Sequence, residues 1–249
     1  MANPKRVLIT GATAGIGRAC VYAFHASGWE VWCCGRRQDR LESLQSELQE
    51  RIHSFALDVR DHAAVEKALS EIPPPNLLVN NAGLSRGFEP LWEGNLDDWN
   101  EMLDTNVKGL LHVTRFLLPR MTENGGGQVI NIGSIAGHEA YPNGAAYCAS
   151  KHAVAAITRA LRKEACGTGI KVSSVDPGLV NTEFSTVRFH GDTDRADRTY
   201  DGMTPLSAED VAETVLWVAT RPAHVNPAEI LLLPTDQASA GIVHRQDSE

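Results

Sequence analysis

Tyr147 and Lys151 stand four residues apart in a stretch, 144–166, whose apolar spacing predicts a helix, so their side chains share one face. That pairing has chemical value. A free phenol ionises at about pH 10 and is a poor base near neutrality, whereas an adjacent ammonium favours the phenolate and draws its pKa down. A tyrosine so placed can give and take a proton. Upstream, Asn80-Asn81-Ala82-Gly83 follows a predicted strand, Asn106 lies in the next predicted helix, and Ser134 ends a later strand. Taken singly, each has a plainer reading: Asn106 as a helix or loop contact, Ser134 as a strand-end turn residue, and the Tyr/Lys pair as one face of an amphipathic helix.

A second group points to a phosphorylated ligand. The first strand, ending at Thr10, runs into Gly11-Ala12-Thr13-Ala14-Gly15-Ile16-Gly17 and then a helix. Glycines there allow a sharp turn and a close approach to a pyrophosphate, while unpaired N–H groups at the helix start meet its oxygens. The second strand closes on Gly35-Arg36-Arg37. An acid at that place would bond a ribose 2′-hydroxyl; two guanidiniums suit a 2′-phosphate instead. NADP(H) over NAD(H) is the expectation, with Arg36 as the clamp and Arg37 as helper or adenine neighbour. The alternative is that both are solvated loop charges.

The elements that must carry these residues follow from periodicity. Short β-branched runs at 6–10, 30–35, 54–58, 76–80, 128–134, 171–176 and 229–233 alternate with helical stretches at 16–27, 39–51, 61–71, 96–123, 144–166 and 207–221. This pattern predicts one α/β domain over 1–249, a doubly wound Rossmann-type fold with a seven-stranded, mostly parallel sheet. With 249 residues, 43% apolar and 22% charged, a single substantial core is expected. The net charge of −8 argues against a broad nucleic-acid surface, and no run approaches the roughly 18 apolar residues of a membrane span. The start carries no signal-peptide pattern. The five cysteines and nine histidines show no metal-ligand spacing, so no metal is expected, and a reduced cytoplasmic protein is the simplest account.

Together, the glycine motif, Asn80–Gly83, Ser134, Tyr147/Lys151 and Pro177-Gly178 resemble the short-chain dehydrogenase/reductase family, in its order and approximate spacing over nearly the whole chain. The resemblance implies Tyr147 as general acid/base and Ser134 as the hydrogen-bond partner of the substrate oxygen. It implies Lys151 on the ribose hydroxyls and Asn106 supporting a water-mediated proton relay. Gly11, Gly15, Ile16 and Gly17 would face the pyrophosphate. Asp58-Val59 and Asn81-Ala82, with Gly83 beside them, would line adenine and ribose, and Thr182 with Pro177–Val180 the nicotinamide.

Within the family the chain is similar to bacterial NADP-dependent 3-hydroxy acid dehydrogenases, serine/allo-threonine enzymes included, and to sulfoacetaldehyde reductases, through residues 34–41, 177–180, 182–189, 221–226 and 237–246. A small aldehyde or hydroxy compound bearing a carboxylate or sulfonate is the shared implication. A substrate-side loop, 183–205, supplies Arg188 as the first candidate for that anion; Arg86 is the second, and Ser85-Arg86 departs from the small or apolar pair expected in this subgroup. An ion pair between Arg188 and a neighbouring aspartate is the plainer reading of that arginine. Competing functions are a broader carbonyl or 3-oxoacyl reductase and a non-catalytic NADP sensor. Family resemblance further implies a homotetramer; the helices from Leu96 and Gly144 are candidate interface elements, because their long apolar faces exceed what one sheet face would cover, and the tail beyond Leu233 is expected to reach a neighbouring subunit's active site.

Overall fold

Seven strands pair in the order β3-β2-β1-β4-β5-β6-β7, every pair parallel. They are β1 (Arg6–Thr10), β2 (Glu30–Gly35), β3 (Ile52–Ala56), β4 (Leu77–Asn80), β5 (Gly127–Ile132), β6 (Ile170–Pro177) and β7 (Glu229–Leu232). The structure, a computed structural model, describes residues 4–246, so both extremes of the expected 1–249 domain lie outside the described residues. Strand order reverses between β1 and β4. Loops diverge there beyond the carboxyl ends of the strands and leave a crevice, the usual ligand position in this kind of sheet.

Side chains alternate across the sheet and build two cores. Val7, Ile9, Val31 and Val79 face α1 (Gly15–Ala26), α2 (Gln38–Leu48) and α9 (Ala208–Ala219). Leu8, Cys34, Leu78 and Val129 face α3 (His62–Ser70), α5 (Leu110–Glu123) and α6 (Ala145–Glu164). Both faces are covered, so the strands read as near-continuous apolar runs.

Two expectations from the sequence are corrected. The helix predicted over 96–123 is broken into α4 (Leu96–Leu103), a π turn at Asp104–Gly109, and α5. The cause is tertiary: the Asn106 side chain accepts from Leu84 N at 2.8 Å and donates to Leu84 O at 2.8 Å, and Gly109 packs against Val59 so closely that a Cβ would collide with it. The segment expected as a loop at 183–205 contains α7 (Glu183–Arg188) and α8 (Thr193–Asp197). Thr182 and Asp192 cap them by accepting from Phe184 N and Arg195 N.

Candidate active site

The crevice is a cleft of about 760 Å³ running from the glycine turn to the tail. At the first end, Gly11 and Gly15 have φ of +68° and +50°, a left-handed geometry that a Cβ would strain. Gly15 lies so near Thr182 that a Cβ would stand 3.2 Å from it, which brings the turn against the head of α7. The first turn of α1 has no side-chain cap, leaving N–H groups free for an anion. Thr13 accepts from Arg37 Nε and Nη2 at 3.1 and 3.0 Å, so one guanidinium is fixed beside the turn. Arg36 Nη1 meets Glu101 Oε1 at 3.2 Å. Glu183 bridges Arg37 at 2.8 Å and Arg40 at 2.6 Å. Arg40 was not singled out in the sequence; its spacing of three from Arg37, on the first turn of a helix, was the available signal.

Every candidate site residue lines this cleft except Thr10, Gly17 and Asn106. Those three act from behind. The Thr10 hydroxyl accepts from Asn81 N and Ala82 N at 3.1 and 3.0 Å, and Asn81 Nδ2 returns to Thr10 O and Gly11 O at 2.9 and 3.1 Å, locking the glycine turn to the loop after β4. Gly17 is tight because a Cβ would strike the Asn81 amide and the Gly11 carbonyl. Asn106 also donates to Ser150 Oγ at 3.0 Å, so its side chain is fully engaged and only its backbone is left for a proton path.

At the catalytic end, Tyr147 and Lys151 are buried and line the cleft together with Ser134, which caps a short 3-10 turn, Ile135–Gly137, by accepting from Ala136 N at 3.1 Å. The Lys151 ammonium donates to Ile132 O at 2.9 Å and lies 6.0 Å from the Tyr147 ring centroid. The electrostatics differ from the sequence expectation. Burial pushes the Tyr147 phenol well above its ordinary range, with Tyr141 adding to the rise, while Arg188 and a hydrogen bond with Ser134 pull it back. Burial likewise draws the Lys151 ammonium down to about 8, against the pull of Asp176. Desolvation outweighs the neighbouring charges, because both groups are buried.

At the substrate end, Arg188 donates through Nε to Ser85 Oγ at 3.0 Å and through Nη2 to Tyr141 Oη at 2.9 Å. Its guanidinium stands 5.2 Å from the Tyr147 ring, 5.4 Å from Phe184 and 5.8 Å from Phe88. Among the described residues it has no carboxylate partner, so the plainer ion-pair reading does not describe it. Arg86 differs. Its Nε meets Glu101 Oε2 and its Nη1 meets Val187 O, both at 2.9 Å, so it shares a carboxylate with Arg36 and Arg60 and braces the end of α7. Ser85, Tyr141, Phe88 and Phe184 were not picked out as site residues in the sequence, since an isolated serine or aromatic carries no spacing signal. The tail, expected at a neighbouring subunit, lines this chain's own cleft through Gln237, Val243 and Arg245.

The family signature described as short chain dehydrogenase matches residues 5–192. The chain belongs to the short-chain dehydrogenase/reductase family. It is 45% identical to the NADP-dependent 3-hydroxy acid dehydrogenase YdfG of Salmonella typhi, over 96% of this chain and 99% of the relative. It is 46% identical to sulfoacetaldehyde reductase 2 of Chromohalobacter salexigens, over 93% and 95%. Among solved structures, the closed form of serine dehydrogenase complexed with NADP+ superposes with a TM-score of 0.93 at 45% identity, covering 97% of this chain and 100% of that one. The protein is thus a short-chain dehydrogenase of the kind that acts on hydroxyl groups.

Proposed function

We propose that this short-chain dehydrogenase interconverts a small 3-hydroxy acid, or a related anionic hydroxy compound, with its aldehyde or ketone. Serine or allo-threonine, 3-hydroxypropionate with malonic semialdehyde, and isethionate with sulfoacetaldehyde are the candidate substrates. The observation that carries this reading is Arg188: a guanidinium without a carboxylate partner among the described residues, inside the cleft and 5.2 Å from the Tyr147 ring. A cation held in place by a serine and a tyrosine, with apolar rings excluding water, is a site for an anionic group.

The cofactor is NADP(H). Three features of the chain fit it: the left-handed glycines, the uncapped head of α1, and the Gly35-Arg36-Arg37 end of β2, where two guanidiniums stand in place of an acid. Nicotinamide, when bound, supplies or accepts a hydride at carbon. In the reducing direction Tyr147 gives its proton to the substrate oxygen, Ser134 holds that oxygen as charge develops, and Lys151 donates to ribose hydroxyls from its seat on Ile132 O. Asn106 shapes the π turn, whose backbone offers the acceptor for a water relay.

A homotetramer in the cytoplasm completes the reading. Apolar side chains exposed on two separate faces support the first part, and five unpaired cysteines, four of them buried, support the second. The deciding measurement is kcat/KM for sulfoacetaldehyde, malonic semialdehyde and a neutral aldehyde of matched length, in the wild type and in Arg188→Ala. Losing a charge-assisted pair worth about 2 kcal/mol should lower the anionic values about 30-fold and the neutral value less than about threefold. Equal losses on all three would refute anion recognition by Arg188 and favour a general carbonyl reductase.

A further inference from the structure

Asp176, near the end of β6, is a buried carboxylate to which neither the sequence motifs nor the roles above give a task. Its position is specific. Oδ2 accepts from Ser174 Oγ at 3.0 Å and lies 2.9 Å from His138 Nε2, while Oδ1 presses on Gly133 so closely that any Cβ there would collide with it. Gly133 separates Ile132, whose carbonyl seats the Lys151 ammonium, from Ser134. The carboxylate is thus lodged behind the strand end that presents both groups to the cleft.

We propose that Asp176, held by His138, is a positioning residue for proton transfer: its negative charge keeps the buried Lys151 ammonium charged and seated on Ile132. This rests on the roles proposed for Tyr147 and Lys151. The charges around the pair are few. Lys151 stands 6.0 Å from the Tyr147 ring on its own helix and feels the charge of Asp176 from β6, and around Tyr147 stand Tyr141, Cys148 and Arg188. Asp176 is faced by His138 from the turn after β5, and by Lys151 and Arg159 from α6; Arg159 is half-exposed and paired with Glu229 at 2.8 Å. Among the described residues no other carboxylate opposes the loss of the lysine's proton, and burial already draws that proton's pKa down to about 8. His138 matters because burial also pushes the Asp176 carboxyl up, and the His138 and Ser174 hydrogen bonds resist that rise.

The sign follows. Removing the carboxylate's charge lets Lys151 lose its proton at lower pH, and alcohol oxidation, which needs the phenolate beside a charged ammonium, fails earlier on the alkaline side. In Asp176→Asn the alkaline limb of oxidative kcat/KM should move down by about one pH unit from near 8, so that the loss at pH 8 exceeds the loss at pH 6 by about fivefold. Nitrogen NMR of lysine-labelled, cofactor-free protein, with the Nζ signal assigned by its disappearance in Lys151→Met, should show the same downward shift. His138→Ala, at a quarter-exposed side chain, should shift both readouts the same way by a smaller amount, and His138→Gln, whose amide can donate to the carboxylate, should bring them back. His138→Ala decides the matter if Asp176→Asn does not fold. A profile lowered equally at all pH values, or an unmoved Nζ titration, overturns the proposal. If Tyr147→Phe keeps its turnover, the catalytic reading fails instead.

Discussion

Arg36 and Arg37 sit side by side in the sequence but are held in different ways, and that difference locates the cofactor preference. Arg37 is fixed to Thr13 and Glu183, whereas Arg36 is half-exposed and meets a single carboxylate oxygen of Glu101. Arg36 is therefore the freer cation for a 2′-phosphate. Arg36→Asp should lower the NADPH-to-NADH ratio of kcat/KM about a hundredfold, equivalent to about 3 kcal/mol for lost charge-assisted bonds, as steady-state kinetics with both nucleotides would show; an unchanged ratio would move the clamp to Arg37. At this scale the sequence was readable wherever chemistry depends on spacing within one element. The Tyr147/Lys151 pair was evident from a four-residue step. The rise in the phenol's pKa was not, because it depends on burial among Tyr141 and other groups that reach Tyr147 only through the fold.

Elements tell a similar story about distance along the chain. Caps and turns built from neighbours were visible, such as Ser207 and Asp210, which form a capping box at the head of α9. The π turn was not, because Leu84 imposes it on Asn106 from 22 residues away. Nor were α7 and α8, which are too short to show a period. The structure gives α7 a double attachment: Glu183 at its head reaches Arg37 and Arg40, and Val187 near its end accepts from Arg86. One helix therefore ties Arg37 and Arg40 to the segment that presents Arg188. A phosphate reaching those two guanidiniums would compete with Glu183. Exposed ion pairs of this kind contribute about 0.5–1 kcal/mol, so Glu183→Gln should tighten NADPH about twofold to fivefold in a fluorescence titration, and the gain should shrink at high salt. Weaker binding would mean that seating α7 outweighs the competition.

At the scale of the whole molecule, the doubly wound, seven-stranded, mostly parallel sheet followed from the alternation of strand and helix, while the order of its strands comes from the structure. The sequence offers the helices that begin at Leu96 and Gly144 as interface elements on the length of their apolar faces, but helical spacing alone does not say which apolar side chains stay outside the core. The structure shows which are exposed. Leu96, Leu103 and Leu111 are exposed on α4 and α5, beside Leu91 and Trp92, the latter 84% exposed. Trp217, 47% exposed, and Leu231 lie on α9 and the edge strand β7. A closed tetramer with two-fold axes needs two different self-complementary faces, and the proposed tetramer would use these two exposed patches. The faces should fail independently. Leu111→Glu and Trp217→Glu should each give a dimer in sedimentation velocity, and the double variant a monomer, since a buried unpaired carboxylate is strongly unfavourable at either interface. If one substitution alone yields monomers, the two patches serve a single interface; a monomeric wild type would remove the tetramer altogether.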